Sequence, residues 1–105
     1  MEEVTVQALA TALKAGKPRV IDVREAAEYR SGHVPGSEFI TMATIPVRLA
    51  DLSHGEKLYV ICESGGRSGQ VCSYLERQGY QVVNVQGGTG AWRMSGFPLS
   101  QGMEA

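Results

Sequence analysis

The stretch from Leu58 to Gln78, LYVICESGGRSGQVCSYLERQ, constrains the chain more than any other. It opens as an apolar run, Leu58-Tyr59-Val60-Ile61, rich enough in β-branched and aromatic residues to read as a buried strand. Val71, Cys72 and Leu75 then recur at helical spacing and predict a helix that closes before Gly79-Tyr80. Cys62-Glu63-Ser64-Gly65-Gly66-Arg67 joins the two, so Cys62 falls where a strand ends and a helix is about to begin. The first turn of a helix has N–H groups without intrahelical partners, and the macrodipole makes the same place electropositive. A thiol held there ionises more readily than a free cysteine, the more so beside a cation such as Arg67. The Gly65-Gly66 pair allows a tight curl, including at positive φ, and consecutive N–H groups converging this way form an anion-binding nest. The stretch therefore points to a nucleophilic cysteine facing an anionic group. The plainer alternative is a buried structural cysteine before a glycine-rich turn.

The rest of the chain supplies the frame. Val4-Thr5-Val6 is a candidate first strand, with Thr5 alternatively capping the helix that follows. Leu9, Ala12 and Leu13 predict that helix over Gln7 to Ala15, closed by Gly16. Arg19 to Val23 reads as a central strand with Asp22 at its end, followed by a short helix from Glu25 to Arg30 stopped by Ser31-Gly32. His33-Val34-Pro35-Gly36 is turn chemistry, and Ser37 to Ile40 is a further strand. Ile45, Val47, Leu49 and Leu52 predict a helix with Pro46 in its first turn. Gln81 to Val85 forms a last strand, and Gly87-Gly88-Thr89-Gly90-Ala91-Trp92 opens a final helix running to about Met94. Strands alternating with helices at this pitch imply a three-layer α/β domain around a mostly parallel sheet. Ligands of such sheets bind beyond the carboxyl ends of the strands, where both Asp22-Val23-Arg24 and Cys62 fall.

Composition narrows the function classes. A chain of 105 residues is the size of one domain, with Ser100 to Ala105 expected as a flexible tail. Ten basic residues against eleven acidic ones argue against nucleic acid or an anionic membrane as partner. No apolar run reaches the length of a membrane span, the N-terminus lacks the form of a secretory signal, and a reducing cytoplasm is the default expectation. Cys62 and Cys72 make no disulfide framework, and no second Cys or His falls at metal-ligand spacing, so neither metal nor cofactor is expected.

Four motifs together give a family resemblance that covers almost the whole chain. They are Ile21-Asp22-Val23-Arg24 with Glu28-Tyr29; Gly32-His33-Val34-Pro35-Gly36-Ser37; Cys62-Glu63-Ser64-Gly65-Gly66-Arg67-Ser68; and Gly87-Gly88-Thr89-Gly90-Ala91-Trp92. In this order and spacing the chain resembles the rhodanese-like proteins. The resemblance implies their fold, an α/β sheet of about five strands flanked by helices, and a sulfurtransferase activity. By that resemblance Cys62 carries a persulfide taken from a donor such as thiosulfate and yields its sulfur to cyanide in an assay, or to a thiol or protein acceptor in the cell. Glu63 to Arg67 would cradle the transferred group, with Asp22, Arg24 and Ser68 in support. Cys62 to Arg67 spans six residues, the length associated with sulfur transfer; related phosphatases and arsenate reductases place the arginine one residue later, where this chain has Ser68. The alternatives are a regulatory or protein-interaction module on the same fold, or such a phosphatase or arsenate reductase.

Individual side chains carry further expectations. Glu63 puts a negative charge beside the nucleophile, and is expected to face solvent and be screened. Asp22 is expected to satisfy backbone donors near the loop, Glu28 to belong to a charge network, His33 to the framework and His54 to an exposed turn. Arg24 either pairs with acidic residues or lines the mouth of the site. Cys72 is read as core, with a resolving thiol as the alternative. Trp92 is read as packing, with the Gly87-Gly88 turn approaching the active loop, and Met42, Thr44 and Arg48 as bordering the site.

Overall fold

The structure, a computed structural model, describes all residues from Met1 to Ala105. Strands and helices alternate: β1 (Glu2–Val4), α1 (Val6–Ala15), β2 (Arg19–Asp22), α2 (Ala26–Ser31), β3 (Glu38–Phe39), two 3-10 helices (Met42–Val47 and Leu49–Asp51), β4 (Lys57–Ile61), α3 (Gly66–Arg77), β5 (Gln81–Val85) and α4 (Gly88–Met94). The strands form one sheet in the order β1-β5-β4-β2-β3, and every pair is parallel.

Side-chain alternation along the strands divides the core in two. Leu58 and Val60 of β4 and Val82 of β5 face Val71, Cys72 and Leu75 of α3, together with Ile45 and Leu52 from the 3-10 region. Ile61 of β4 and Val85 of β5 face Val6 and Leu9 of α1 and Trp92 of α4. Each fully buried aliphatic side chain of this kind is worth about 1.5–3 kcal/mol. No helix is long and apolar enough to cross a membrane.

The topology fixes where a site can form. After β2 the chain moves outward to β3; after β4 it moves the opposite way to β5. The carboxyl ends of β2 and β4, adjacent in the sheet with Asp22 opposite Ile61, therefore flank the point where the strand order reverses. Cys62 follows Ile61 directly.

Three segments differ from the sequence expectation. Thr5 accepts a hydrogen bond from the Ala8 N–H at 3.1 Å as N-cap of α1, so the first strand ends at Val4 rather than running to Val6. The helix expected from Ile45 to Leu52 is instead two 3-10 pieces, with i→i+3 bonds from Thr44 to Thr41 and from Arg48 to Ile45. Pro46 has no N–H to give an α-helical ladder and disfavours α geometry at Ile45, so the tighter, shorter form prevails.

The third is the tail. Ser100 exchanges two backbone bonds with His33 at 2.9 Å, and the Gly102 N–H reaches Arg30 O at 2.9 Å. His33 is fully buried and stacks on Tyr29, with Nδ1 2.7 Å from Tyr29 O and Nε2 2.6 Å from Glu104 O. Segment 100–104 is thus docked onto the His33 turn, whose backbone and ring supply the partners.

Candidate active site

Backbone geometry and hydrogen bonds shape the loop between β4 and α3. Gly65 donates its N–H back to Cys62 Sγ at 3.1 Å and then adopts φ +107°, a region L side chains rarely enter, to lead into α3. Gly66, by contrast, has no positive φ and starts α3 with open space where a Cβ would stand. From outside, the first turn of α4 grips the loop: Thr89 N–H donates to Cys62 O at 2.8 Å and Gly90 N–H to Glu63 O at 2.9 Å. With these two carbonyls held outward, the following N–H groups are free to face the thiol. Gly88 makes the grip possible. At φ +58° it lies so close that a Cβ would fall 2.7 Å from Glu63 O and nearer still to Cys62 O. Gly88→Ala is expected to lower unfolding free energy by about 2–3 kcal/mol, read as a lower urea midpoint, because backbone on both sides must move.

Cys62 is itself only 1% exposed. Burial pushes its thiol up, but the Ser68 hydroxyl and the N–H groups of Ser68, Gly65 and Ser64 outweigh that and hold it below the ordinary cysteine value. Ser68 Oγ lies 3.3 Å from Sγ and 2.6 Å from Asn84 Oδ1, with a single proton to share between them. Asn84 is fixed from its other end, where Nδ2 donates to Gly65 O and to Glu3 Oε2, both at 3.2 Å. Ser68→Ala removes one donor to the thiolate. Alkylation of Cys62 is expected to move to higher pH, slowing roughly two- to tenfold at neutral pH, the worth of one hydrogen bond. Iodoacetamide kinetics against pH measure this.

Three arginines surround the loop, and each is paired. Arg24, fully buried, binds Asp22 through Nε at 3.0 Å and Nη2 at 2.9 Å, donates to Gly32 O at 2.8 Å, and reaches Glu63 Oε1 through Nη1 at 3.0 Å. Burial opposes its charge, yet the Asp22 and Glu63 carboxylates hold its pKa above the ordinary arginine value. Asp22 also accepts the Arg24 N–H at 3.1 Å, the backbone role expected of it. Arg67 grips Glu28 through two 2.8 Å bonds. Those bonds, chiefly, hold the Glu28 carboxyl down at about 2. Arg93 of α4 donates to Glu63 Oε2 at 3.0 Å.

Glu63 therefore departs from the sequence expectation. Its carboxylate is tied between a buried arginine and an α4 arginine rather than left to solvent, because Arg24 retains an Nη1 donor after satisfying Asp22. Arg67, read as a cation near the thiol, has its guanidinium paired with Glu28 of α2. Asn84 went unread in the sequence; the signal was a lone amide inside the strand QVVNV, which needs partners if buried.

The remaining candidates divide clearly. Cys72 is wholly buried among core side chains, and burial pushes its thiol up to about 12, so it is held as an uncharged core residue. Met42 lines a cleft of about 180 Å³ with Gln70 and Tyr74 of α3. Thr44 bonds Thr41 O, and Arg48 pairs with Asp51 at 2.9 Å rather than with the loop. His54 is exposed and stacks on Tyr80. The largest cleft, about 780 Å³, adjoins the start of β2 and the Pro35-Gly36 turn and contains no loop residue.

The fold is thus a parallel five-stranded α/β sheet with a cysteine in an N–H-lined loop at the point where the strand order reverses. Residues 5–95 match the family described as the Rhodanese-like domain, and the chain belongs to that family. It is 39% identical to the Bacillus subtilis (strain 168) protein YtwF over 93 residues, covering 88% of this chain and 90% of that one. It is 37% identical over 81 residues to a protein of Allochromatium vinosum named sulfurtransferase, covering 76% of each. Among solved structures, a Rhodanese-like domain protein from Staphylococcus aureus superposes with a TM-score of 0.84 at 39% identity, over 88% of this chain and 91% of that one. The family and its named relatives support sulfur transfer as the general activity.

Proposed function

We propose that Cys62 is the persulfide carrier of a sulfurtransferase that takes sulfane sulfur from a donor such as thiosulfate. The observation that carries this reading is the cradle around Sγ: N–H groups of Ser64, Gly65 and Ser68 and the Ser68 hydroxyl, which together favour the thiolate. In the first step the thiolate attacks the outer sulfur of the donor. A new S–S bond forms at Sγ, the donor S–S bond breaks, and sulfite leaves with the bonding pair. In the second, cyanide or a thiolate attacks the outer sulfur of the persulfide, giving thiocyanate or a new persulfide and restoring the Cys62 thiolate. The same donors hold sulfur anions at the start and end of each step, so no cofactor is needed. The acceptor is a small thiophile in an assay and a thiol or protein in the cell.

The test is intact mass after brief exposure to sulfane donors, thiosulfate and cysteine persulfide, beside Cys62→Ser. A gain of one sulfur atom that cyanide removes and the variant lacks is the expected result. No gain with either donor overturns the reading and favours a binding module.

A further inference from the structure

The charges around Cys62 bear on which donor fits, given that the persulfide chemistry above holds. Arg24, Arg67 and Arg93 are the guanidiniums held at the loop, and Asp22, Glu28 and Glu63 are bonded to them one and all. Three cations meet three carboxylates. Glu25, N-cap of α2, adds a fourth carboxylate whose field reaches Arg67, while its own partners are the Thr41 hydroxyl at 2.9 Å and the Glu28 N–H of the capping box, neither of them a cation. The side chains at the site thus carry no positive surplus before Cys62 ionises. The cradle N–H groups of Ser64, Gly65 and Ser68 are directed at Sγ, and as backbone dipoles they add no net charge to that balance.

That balance weighs differently on two kinds of donor. Thiosulfate is a dianion, and its attack by a thiolate gathers three negative charges in one transition state. An organic persulfide reacting as RSSH brings none at the transferring sulfur. The thiolate bonds to the outer sulfur, the RS–SH bond breaks, and RS⁻ leaves with the pair, so a single negative charge passes through. The second path suits a site whose guanidiniums are already neutralised.

We infer that the physiological donor is an organic persulfide, and that Glu28 sets this preference by holding both Nη groups of Arg67 away from the incoming anion. Glu28 is a specificity residue acting through Arg67; it does not itself touch sulfur. It lies on α2, outside the Cys62 loop, and a glutamine there keeps the Oε1 acceptor for the Glu25 N–H at 2.9 Å, so the capping box survives the loss of charge.

The experiment loads the full chain in single turnovers with thiosulfate or cysteine persulfide, counting sulfur on Cys62 by mass spectrometry after alkylation. The wild-type protein is expected to load from the persulfide at least about tenfold faster than from thiosulfate, the scale of one uncompensated charge near the reacting group. In Glu28→Gln the ratio of thiosulfate rate to persulfide rate should rise about tenfold, and Glu28→Ala, which also loses the cap, should raise it in the same direction. Equal wild-type rates overturn the inference, as does a ratio unmoved by either variant, and both leave the persulfide mechanism standing. Failure of the folded wild-type protein to load from either donor overturns the mechanism and the inference with it.

Discussion

Replacing Cys62 by serine is expected to reduce sulfur loading at least about a thousandfold while leaving the fold in place. The two side chains are nearly isosteric, and the serine oxygen can accept from the same Gly65 N–H that approaches Sγ at 3.1 Å. What the hydroxyl lacks is acidity and a bond to sulfur: it stays protonated at neutral pH and forms no persulfide. The stability cost is that of exchanging one satisfied polar group for another, about 1 kcal/mol or less, or roughly 4–8 °C in Tm for a domain of this size. Intact-mass loading assays and thermal unfolding measured side by side separate chemistry from structure. Residual loading on the variant would place the reactive sulfur elsewhere. The one other thiol, Cys72, is buried and driven toward its protonated form, so no rescue is expected from it.

That the loop could be read at all follows from its contiguity. Strand, cysteine, glycine turn and helix occupy one unbroken stretch, and the physics of a helix N-terminus acts over one turn. The short β-branched runs of β2, β4 and β5 and the 3,4-spacing of α1 and α3 were legible for the same reason. The Pro46 segment was not, since a proline suits the first turn of an α-helix and the interior of a 3-10 helix equally well in sequence. The neutralising partners of the site were also hidden. Glu63 meets Arg24 from 39 residues away and Arg93 from 30, and Glu28 meets Arg67 across 39. A charge pattern in a single sequence carries no information about such meetings. The strand-end rule located the motif around Asp22 and Arg24 beside the loop but left open whether the arginine paired with acidic residues or lined the mouth. Burial decides it for the pairing, the side chain being 0% exposed.

That buried position makes Arg24→Met the substitution with the largest expected loss of stability. Asp22 is also 0% exposed, and Arg24 supplies its side-chain partners. With the guanidinium gone, a carboxylate is left in the interior with a single backbone donor, the N–H of residue 24. Gly32 O loses the donor at 2.8 Å that ties the end of α2 to β2, and Glu63 keeps only Arg93. Breaking one side of a buried ion pair typically costs about 3–5 kcal/mol, a large share of the 5–15 kcal/mol that stabilises a small domain. Tm should fall by roughly 15 °C or more, with the active loop loosened through Glu63. Most of that cost belongs to the stranded charge rather than to lost attraction. Adding Asp22→Asn to Arg24→Met is therefore expected to recover more than half of it, because an amide needs no counter-ion. A double variant no more stable than the single one would assign the loss to the Gly32 and Glu63 contacts instead. A single variant within about 1 kcal/mol of wild type would show that the buried pair is not what holds the carboxyl ends of β2 and β4 together.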